Sequence, residues 1–170
     1  MYKHCSMERM ECREAVKCQL VADAIRAFGG LRLKVTGSSM LPSVFPGDIL
    51  SIRQSEIVEV ELGDIVLFDR DGRLFAHRVL DKIQGTDQTY LITQGEQLPG
   101  TDPPISAREL LGKVTSIERG ESRIDPRAGL RLGSRIASII FRHSAIATRL
   151  MLHLIALRRG MLGKEAEWSI

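Results

Sequence analysis

Between residues 31 and 117 the chain consists of short apolar runs separated by turn residues, with no helical repeat among them. Residues 31–35 alternate apolar and basic side chains, which is the period of a half-buried strand, and residues 65–68 form an apolar run of strand length. The tetrapeptide Asp-Arg-Asp-Gly at residues 69–72 predicts a hairpin turn before a return strand at residues 74–80. Short strands without helices between them predict a compact antiparallel β-barrel or sandwich rather than an α/β sheet. The other segments predicted to be extended are residues 49–52, 56–62, 90–93 and 109–117.

A helical pattern precedes this β region. Apolar residues recur at steps of three and four in residues 7–28, at Ala15, Val16, Leu20, Ala24, Ala27 and Phe28. The spacing predicts an amphipathic helix that buries those side chains, and the pair Gly29-Gly30 predicts where the helix ends.

The pattern changes again near residue 130. Residues 130–159 carry apolar residues at helical spacing, and Arg135, Arg142 and Arg149 recur at seven-residue steps along one side. A basic amphipathic helix is typical of an element that lies in the headgroup plane of a membrane. Packing against the barrel, or against a second copy of the segment, is the alternative. The sequence thus predicts an N-terminal helix (1–30), a β domain (31–120) and a C-terminal helical appendage (121–170).

Composition argues against several classes of function. Aromatic residues make up 5% of the chain and the net charge is +3, so a base-stacking surface and a nucleic-acid partner are not expected. Cys5, Cys12 and Cys18 lie in the first segment, outside the presumed core, and their odd number predicts a reducing compartment without a disulfide framework. Their spacing matches no zinc or iron–sulfur pattern, so we expect no metal there.

The loop at residues 37–48 is the strongest candidate for chemistry. It contains the adjacent serines Ser38 and Ser39, followed by Pro42, which fixes its own φ and biases the preceding residue towards an extended conformation. A serine hydroxyl becomes a nucleophile when a rigid backbone exposes it and a neighbouring base takes its proton. On these residues alone, the segment fits a catalytic loop or an ordinary loop rich in turn residues.

Four histidines are available as a base. His77 lies on a predicted core strand, whereas His4, His143 and His153 lie in the terminal segments. Imidazole can accept and return a proton near neutral pH, which suits a general base. A structural histidine satisfied by backbone or water is the alternative for the same position.

Together these segments resemble the type I signal peptidases and their relatives in the S24/S26 superfamily. The serine box is Ser39-Met40-Leu41-Pro42 with Gly47-Asp48 after it, and Gly-Asp-Ile-Val-Leu-Phe at residues 63–68 resembles a second family block. His77-Arg78-Val79 resembles the branch that uses histidine, where the bacterial majority has lysine. The resemblance covers about residues 34–117 and implies the antiparallel β-barrel shared by signal peptidases and LexA-type repressors.

The resemblance also implies an activity and a set of site residues. The activity would be that of a serine endopeptidase cleaving an extended, signal- or leader-peptide-like substrate with small residues before the cut. Such an activity would need neither a metal nor an organic cofactor. Ser39 is the implied nucleophile, His77 the base, and Asp102 the acid that orients the imidazole. The implied oxyanion and substrate-binding residues are Ser38, Ser39 and Met40, with the Ser39 N–H as the main oxyanion donor.

The chain departs from the family pattern in three ways. Gly37 stands where the lysine branch often has a hydroxyl residue, and Glu96 stands in place of an aspartate after Gly95. No secretory signal or membrane span is visible in the sequence, so we expect a cytoplasmic protein, or one attached to the inner membrane face through residues 130–159.

Two other functions stay open on the sequence. One is a catalytically silent module that binds a peptide or a membrane. The other is a LexA-like regulator that cleaves itself, although those proteins use lysine as the base.

Overall fold

The computed structural model describes residues 2–127, with side chains from Arg13 onward. Its elements are α1 (Tyr2–Phe28), β1 (Gly30–Lys34), β2 (Ile49–Arg53), a 3₁₀ turn (Ile57–Glu59), β3 (Ile65–Arg70), β4 (Arg73–Gln84), β5 (Thr89–Gln94), β6 (Leu110–Arg119) and β7 (Ser122–Ile124). The predicted helix at residues 130–159 lies outside the described residues. Within the described part, no helix is both long and apolar enough to cross a membrane.

The seven strands form one antiparallel sheet in the order β1-β2-β6-β3-β4-β5, with β7 paired to β6. In the central strand β3, Ile65 and Leu67 pack with residues of α1, whereas Val66 and Phe68 face a second cluster that includes residues of β5 and the 3₁₀ turn. Burial on both faces explains why the first four residues of β3 are all apolar. The mainly β fold with an N-terminal helix, predicted from the sequence, is confirmed.

Helix α1 docks on the sheet through one buried face. Its buried positions Cys18, Ala22 and Ile25 are spaced along one helical face. The helix ends at Gly29, as predicted, where a φ of 73° lets the N–H donate to the carbonyl of Ile25 at 2.9 Å.

The predicted buried face of α1 was wrong. Val16, Leu20 and Phe28 are all more than half exposed. The sheet covers the face that carries Cys18 and Ile25, and the predicted residues lie outside that face. Cys18, expected outside the core, is 1% exposed and belongs to it.

The hairpin between β3 and β4 has the predicted turn. Arg70 pairs with Arg73, and the two residues between them, Asp71 and Gly72, have φ values of 54° and 69°. Two consecutive positive φ angles are what a two-residue hairpin of the favoured twist requires. Along its first five residues, up to His77, β4 pairs with β3 on one edge, and β5 begins to pair on the other edge only at the next residue.

The extended segment predicted at residues 56–62 was wrong, because it contains the 3₁₀ turn. The carboxylate of Glu59 accepts hydrogen bonds from the hydroxyl of Ser55 at 2.9 Å and from the N–H of Glu56 at 3.3 Å. Local bonds of this kind satisfy the backbone in a turn and compete with strand pairing.

Two buried aspartates brace turns on either side of the sheet. Asp48 accepts a hydrogen bond from the N–H of Phe45 at 2.8 Å and forms an ion pair with Arg119 at 2.7 Å. Asp64 accepts one from the N–H of Glu61 at 3.0 Å. Both carboxylates thus fix the loops that lead into β2 and β3.

Candidate active site

Ser39 follows β1 in a turn that is anchored to the core. The N–H of Val44 donates to the carbonyl of Met40 at 2.9 Å, and the side chains of Met40, Leu41 and Val44 are buried. The Leu41–Pro42 peptide bond within this turn is cis. Ser39 itself is half-buried. The buried side chains that follow it in the turn therefore fix the backbone that carries its hydroxyl.

The structure brings Ser39, His77 and Asp102 together in one hydrogen-bonded chain. The Oγ of Ser39 lies 3.0 Å from Nε2 of His77. The other ring nitrogen, Nδ1, lies 2.7 Å from Oδ2 of Asp102. The imidazole is 2% exposed and the aspartate side chain 16%, so both bonds are largely shielded from water.

Thr93 holds the aspartate in place. Its buried hydroxyl donates to Oδ2 of Asp102 at 2.6 Å, and its carbonyl accepts from the N–H of Asp102 at 2.8 Å. Sequence reasoning did not single out Thr93, because a threonine on a short strand carries no signal of such a contact.

Two aromatic rings surround the imidazole. The ring centroids of Phe68 and Phe75 lie 5.9 Å and 5.8 Å from that of His77, with Phe68 meeting it nearly edge-on. Phe68 is fully buried, and the two phenyl rings stack on each other at 5.5 Å. This packing fixes the plane of the imidazole so that both nitrogens face their partners.

The arrangement has the chemical capacity for general base catalysis. With Asp102 ionised, Nδ1 of His77 donates to the carboxylate, and Nε2 is left as an acceptor for the Ser39 hydroxyl proton. The same carboxylate would stabilise the imidazolium that forms when the proton is transferred.

A loop at residues 95–98 closes over the serine. The N–H of Gln97 donates to the carbonyl of Ser39 at 2.9 Å, and the N–H of Leu98 donates to the carbonyl of Gly95 at 2.9 Å. The loop therefore fixes the position of the Ser39 backbone, and it also bounds the space beside His77.

Backbone donors are available beside Ser39. Among the described residues, neither the N–H of Ser39 nor that of Met40 donates a backbone hydrogen bond. The carbonyl of Ser38 accepts from the N–H of Leu41 at 3.1 Å, which shapes the turn. Because the Met40 side chain is 4% exposed and belongs to the core, Met40 can contribute its N–H but not its thioether to a bound oxyanion.

Behind the site lies a buried ion pair that sequence reasoning left without a role. Arg78, the neighbour of His77, donates to Oε1 of Glu96 from Nε at 2.8 Å and from Nη2 at 2.6 Å. The hydroxyl of Ser43 donates to the same oxygen at 2.8 Å. These bonds join β4, the serine turn and the loop at residues 95–98, and the sequence offered no sign of them beyond the basic residue after His77.

Within the described part of the chain, no three His, Cys, Asp or Glu side chains are grouped as a metal site would require.

Comparison with known proteins agrees with the geometry. The family model described as Peptidase S24-like matches residues 7–115, which is more than half of the chain. The signal peptidase complex catalytic subunit SEC11 of Colletotrichum graminicola is 31% identical over 78 residues. That match covers 44% of this chain and 45% of the fungal protein, so the chain spans about half the length of the curated relative.

Proposed function

The chain belongs to the Peptidase S24-like family, and from this premise we propose that it is a serine endopeptidase of the Ser-His type. The observation that carries the proposal is the pair of contacts at His77, 3.0 Å to Ser39 Oγ and 2.7 Å to Asp102 Oδ2. Acyl transfer by serine needs a nucleophile and a base that takes its proton, and the carboxylate at Nδ1 adds the group that orients the imidazole.

In the proposed reaction Ser39 Oγ attacks the scissile carbonyl while Nε2 of His77 takes its proton. The oxyanion of the tetrahedral intermediate accepts hydrogen bonds from the N–H groups of Ser39 and Met40. His77 then returns the proton to the leaving amine, and a water attacks the acyl-enzyme with His77 again as base. Asp102 keeps the imidazole in the reactive tautomer throughout.

The proposed substrate is an extended segment of a peptide or protein. Strand β1 is the end strand of the sheet, and the first half of β4 lacks a strand partner on one edge in the described structure. An extended chain could add to such an edge through main-chain hydrogen bonds and so pass Ser39. The likeness to a signal peptidase catalytic subunit supports a signal- or leader-like peptide. The resemblance noted in the sequence suggests small residues before the cut.

The first test is labelling of the full chain with a serine-reactive acylating probe. We expect wild type to be labelled at Ser39, and Ser39→Ala and His77→Ala to remain unlabelled although folded. Ser122→Ala, at an exposed serine on β7, is the matched control and should be labelled like wild type.

The second test uses a library of extended peptides with small residues at varied positions, read by mass spectrometry. Cleavage that depends on Ser39 supports the proposal. Binding without turnover, unchanged in Ser39→Ala, would instead favour a silent binding module. Cleavage of the chain itself would favour a self-cleaving regulator.

A further inference from the structure

The segment that follows β7 is held against the back of the candidate active site, and we call residues 125–127 the clasp. Arg127 donates from Nε to Oδ1 of Asp64 at 2.8 Å and from Nη2 to Oε2 of Glu61 at 2.7 Å. Its N–H donates to the carboxylate of Asp125 at 2.8 Å. These bonds fix Pro126, which is buried.

The carbonyl of Pro126 is one of the acceptors of the Arg78 guanidinium. Nη1 of Arg78 donates to it at 3.0 Å and to the carbonyl of Gly63 at 2.8 Å, while Nε and Nη2 face Glu96. Arg78 is 5% exposed. If the Pro126 carbonyl moved away, water could not freely take its place as the hydrogen-bond acceptor of the guanidinium.

Arg78 stands between the clasp and the reacting groups. It is bonded covalently to His77, and its Nη2 lies 3.2 Å from the hydroxyl of Ser43 in the serine turn. A shift of the guanidinium would therefore act on the two segments whose relative position sets the distance from Ser39 to His77.

We propose that Arg127 is a positioning residue for the reaction at Ser39, acting through Pro126 and Arg78. This inference rests on the proposed function.

The pair of Arg127 with Glu61 lies near the surface, with side-chain exposures of 45% and 68%, and a pair this exposed adds little to global stability. Asp64 is 6% exposed, but without Arg127 it keeps the N–H of Glu61 at 3.0 Å and the ammonium of Lys113 at 3.6 Å as partners. Loss of Arg127 should therefore affect alignment more than folding.

The test compares Arg127→Ala, Arg127→Lys and Arg123→Ala in the full chain. Arg123 is an exposed arginine on β7 with no ion-pair partner among the described residues, and so serves as the matched control. For Arg127→Ala we expect the maximal rate of acylation by the probe to fall about tenfold, because small misplacements of reacting groups have large effects on rate. In Arg127→Ala the probe concentration that gives half the maximal rate should stay unchanged. Arg127→Lys should recover part of the lost rate, and Arg123→Ala should react like wild type.

A second readout follows Arg78 directly. The ¹⁵N-labelled side chain of Arg78 should give slowly exchanging N–H signals in wild type and in Arg123→Ala, and faster exchange in Arg127→Ala. Equal acylation rates in Arg127→Ala and Arg123→Ala, or a loss matched by a loss of folded protein, would overturn the inference while leaving the proposed function intact. Absence of Ser39 labelling in wild type would overturn the proposed function itself.

Discussion

Gly95 lies directly against the imidazole of His77. A Cβ placed on Gly95 would come within 3.0 Å of Nε2 of His77, and within the same distance of the carbonyl oxygen of Ser39. Carbon atoms do not approach other heavy atoms so closely in a packed interior, so a side chain at this position must displace the imidazole or the serine turn.

Gly95→Ala is therefore expected to slow acylation of Ser39 by about tenfold. A Cβ at this distance requires its neighbours to shift by a few tenths of an ångström, and a displacement of about 1 Å in the reacting groups costs roughly 10²-fold. Gly100→Ala is the matched control, because a Cβ at Gly100 meets no atom within 4 Å. Both variants should retain the wild-type circular dichroism spectrum. Labelling of Gly95→Ala at the wild-type rate would contradict the assignment of Nε2 as the proton acceptor.

Asp102→Asn tests the orienting acid. An amide in place of the carboxylate can donate to Nδ1 of His77, which leaves the proton on Nε2, where Ser39 needs an acceptor. By analogy with other serine triads we expect a loss of about 10⁴-fold in the turnover rate. Single-turnover acylation measured by stopped flow would show it, and an unchanged rate would exclude Asp102 from the mechanism.

Thr93→Val removes the hydroxyl that donates to Asp102 at 2.6 Å, while it keeps the size of the side chain. Asp102 would keep its carboxylate bond to His77 and the bond from its own N–H to the carbonyl of residue 93. The acylation rate should therefore fall less than in Asp102→Asn, by about tenfold, as expected for the loss of one hydrogen bond to a charged group. The same acylation assay checks it. A Thr93→Val loss equal to that of Asp102→Asn would mean that Thr93 does more than hold the carboxylate.

The strands and the hairpin were predictable because their signals are local. The turn at Asp71 and Gly72 needs positive φ, and the return strand that must follow such a turn carries His77. The grouping of Ser39, His77 and Asp102 was predicted from a family resemblance, because sequence spacing alone cannot show which loops meet.

The features that were missed depend on contacts between distant segments. The bonds from Arg78 to Glu96 and Ser43, and from Thr93 to Asp102, appear only once strand register has brought those segments together. The buried face of α1 was mispredicted for a related reason. Spacing within the helix favoured the face with Leu20, whereas the sheet covers the face that carries Cys18 and Ile25.

Glu96→Gln tests the ion pair behind the site. Glu96 and Arg78 have side-chain exposures of 12% and 6%, so neutralising the carboxylate leaves a guanidinium charge that is buried and uncompensated. Breaking such a pair from one side typically costs about 3–5 kcal/mol of unfolding free energy. Urea denaturation should show a lowered midpoint, whereas Glu121→Gln, at an exposed position, should unfold like wild type. Equal midpoints would mean that the carbonyl acceptors suffice to hold Arg78.

The burial of Cys18 makes the stability of the docked helix α1 depend on pH. Burial of the thiol, together with a hydrogen bond to the carboxylate of Asp69, raises the pKa of Cys18 to about 12 from an ordinary value of 9.0. Below pH 9.0 the thiol is protonated in both the folded and the unfolded chain. Above it the unfolded chain loses the proton while the folded chain keeps it. The stabilisation is therefore fully present below that pH and is lost as the pH rises towards about 12.

We expect the unfolding free energy of wild type to fall more steeply between about pH 8 and pH 10.5 than that of Cys18→Ala, which shares every other titrating group. Urea titrations at the two pH values measure the difference. In a Cys5→Ser/Cys12→Ser background, alkylation of Cys18 by iodoacetamide should also be far slower in the folded chain than in urea, because the thiolate is the reacting species. Parallel pH dependence in wild type and Cys18→Ala, or alkylation at the same rate with and without urea, would show that Cys18 is not held as a buried thiol and that α1 docks by another contact.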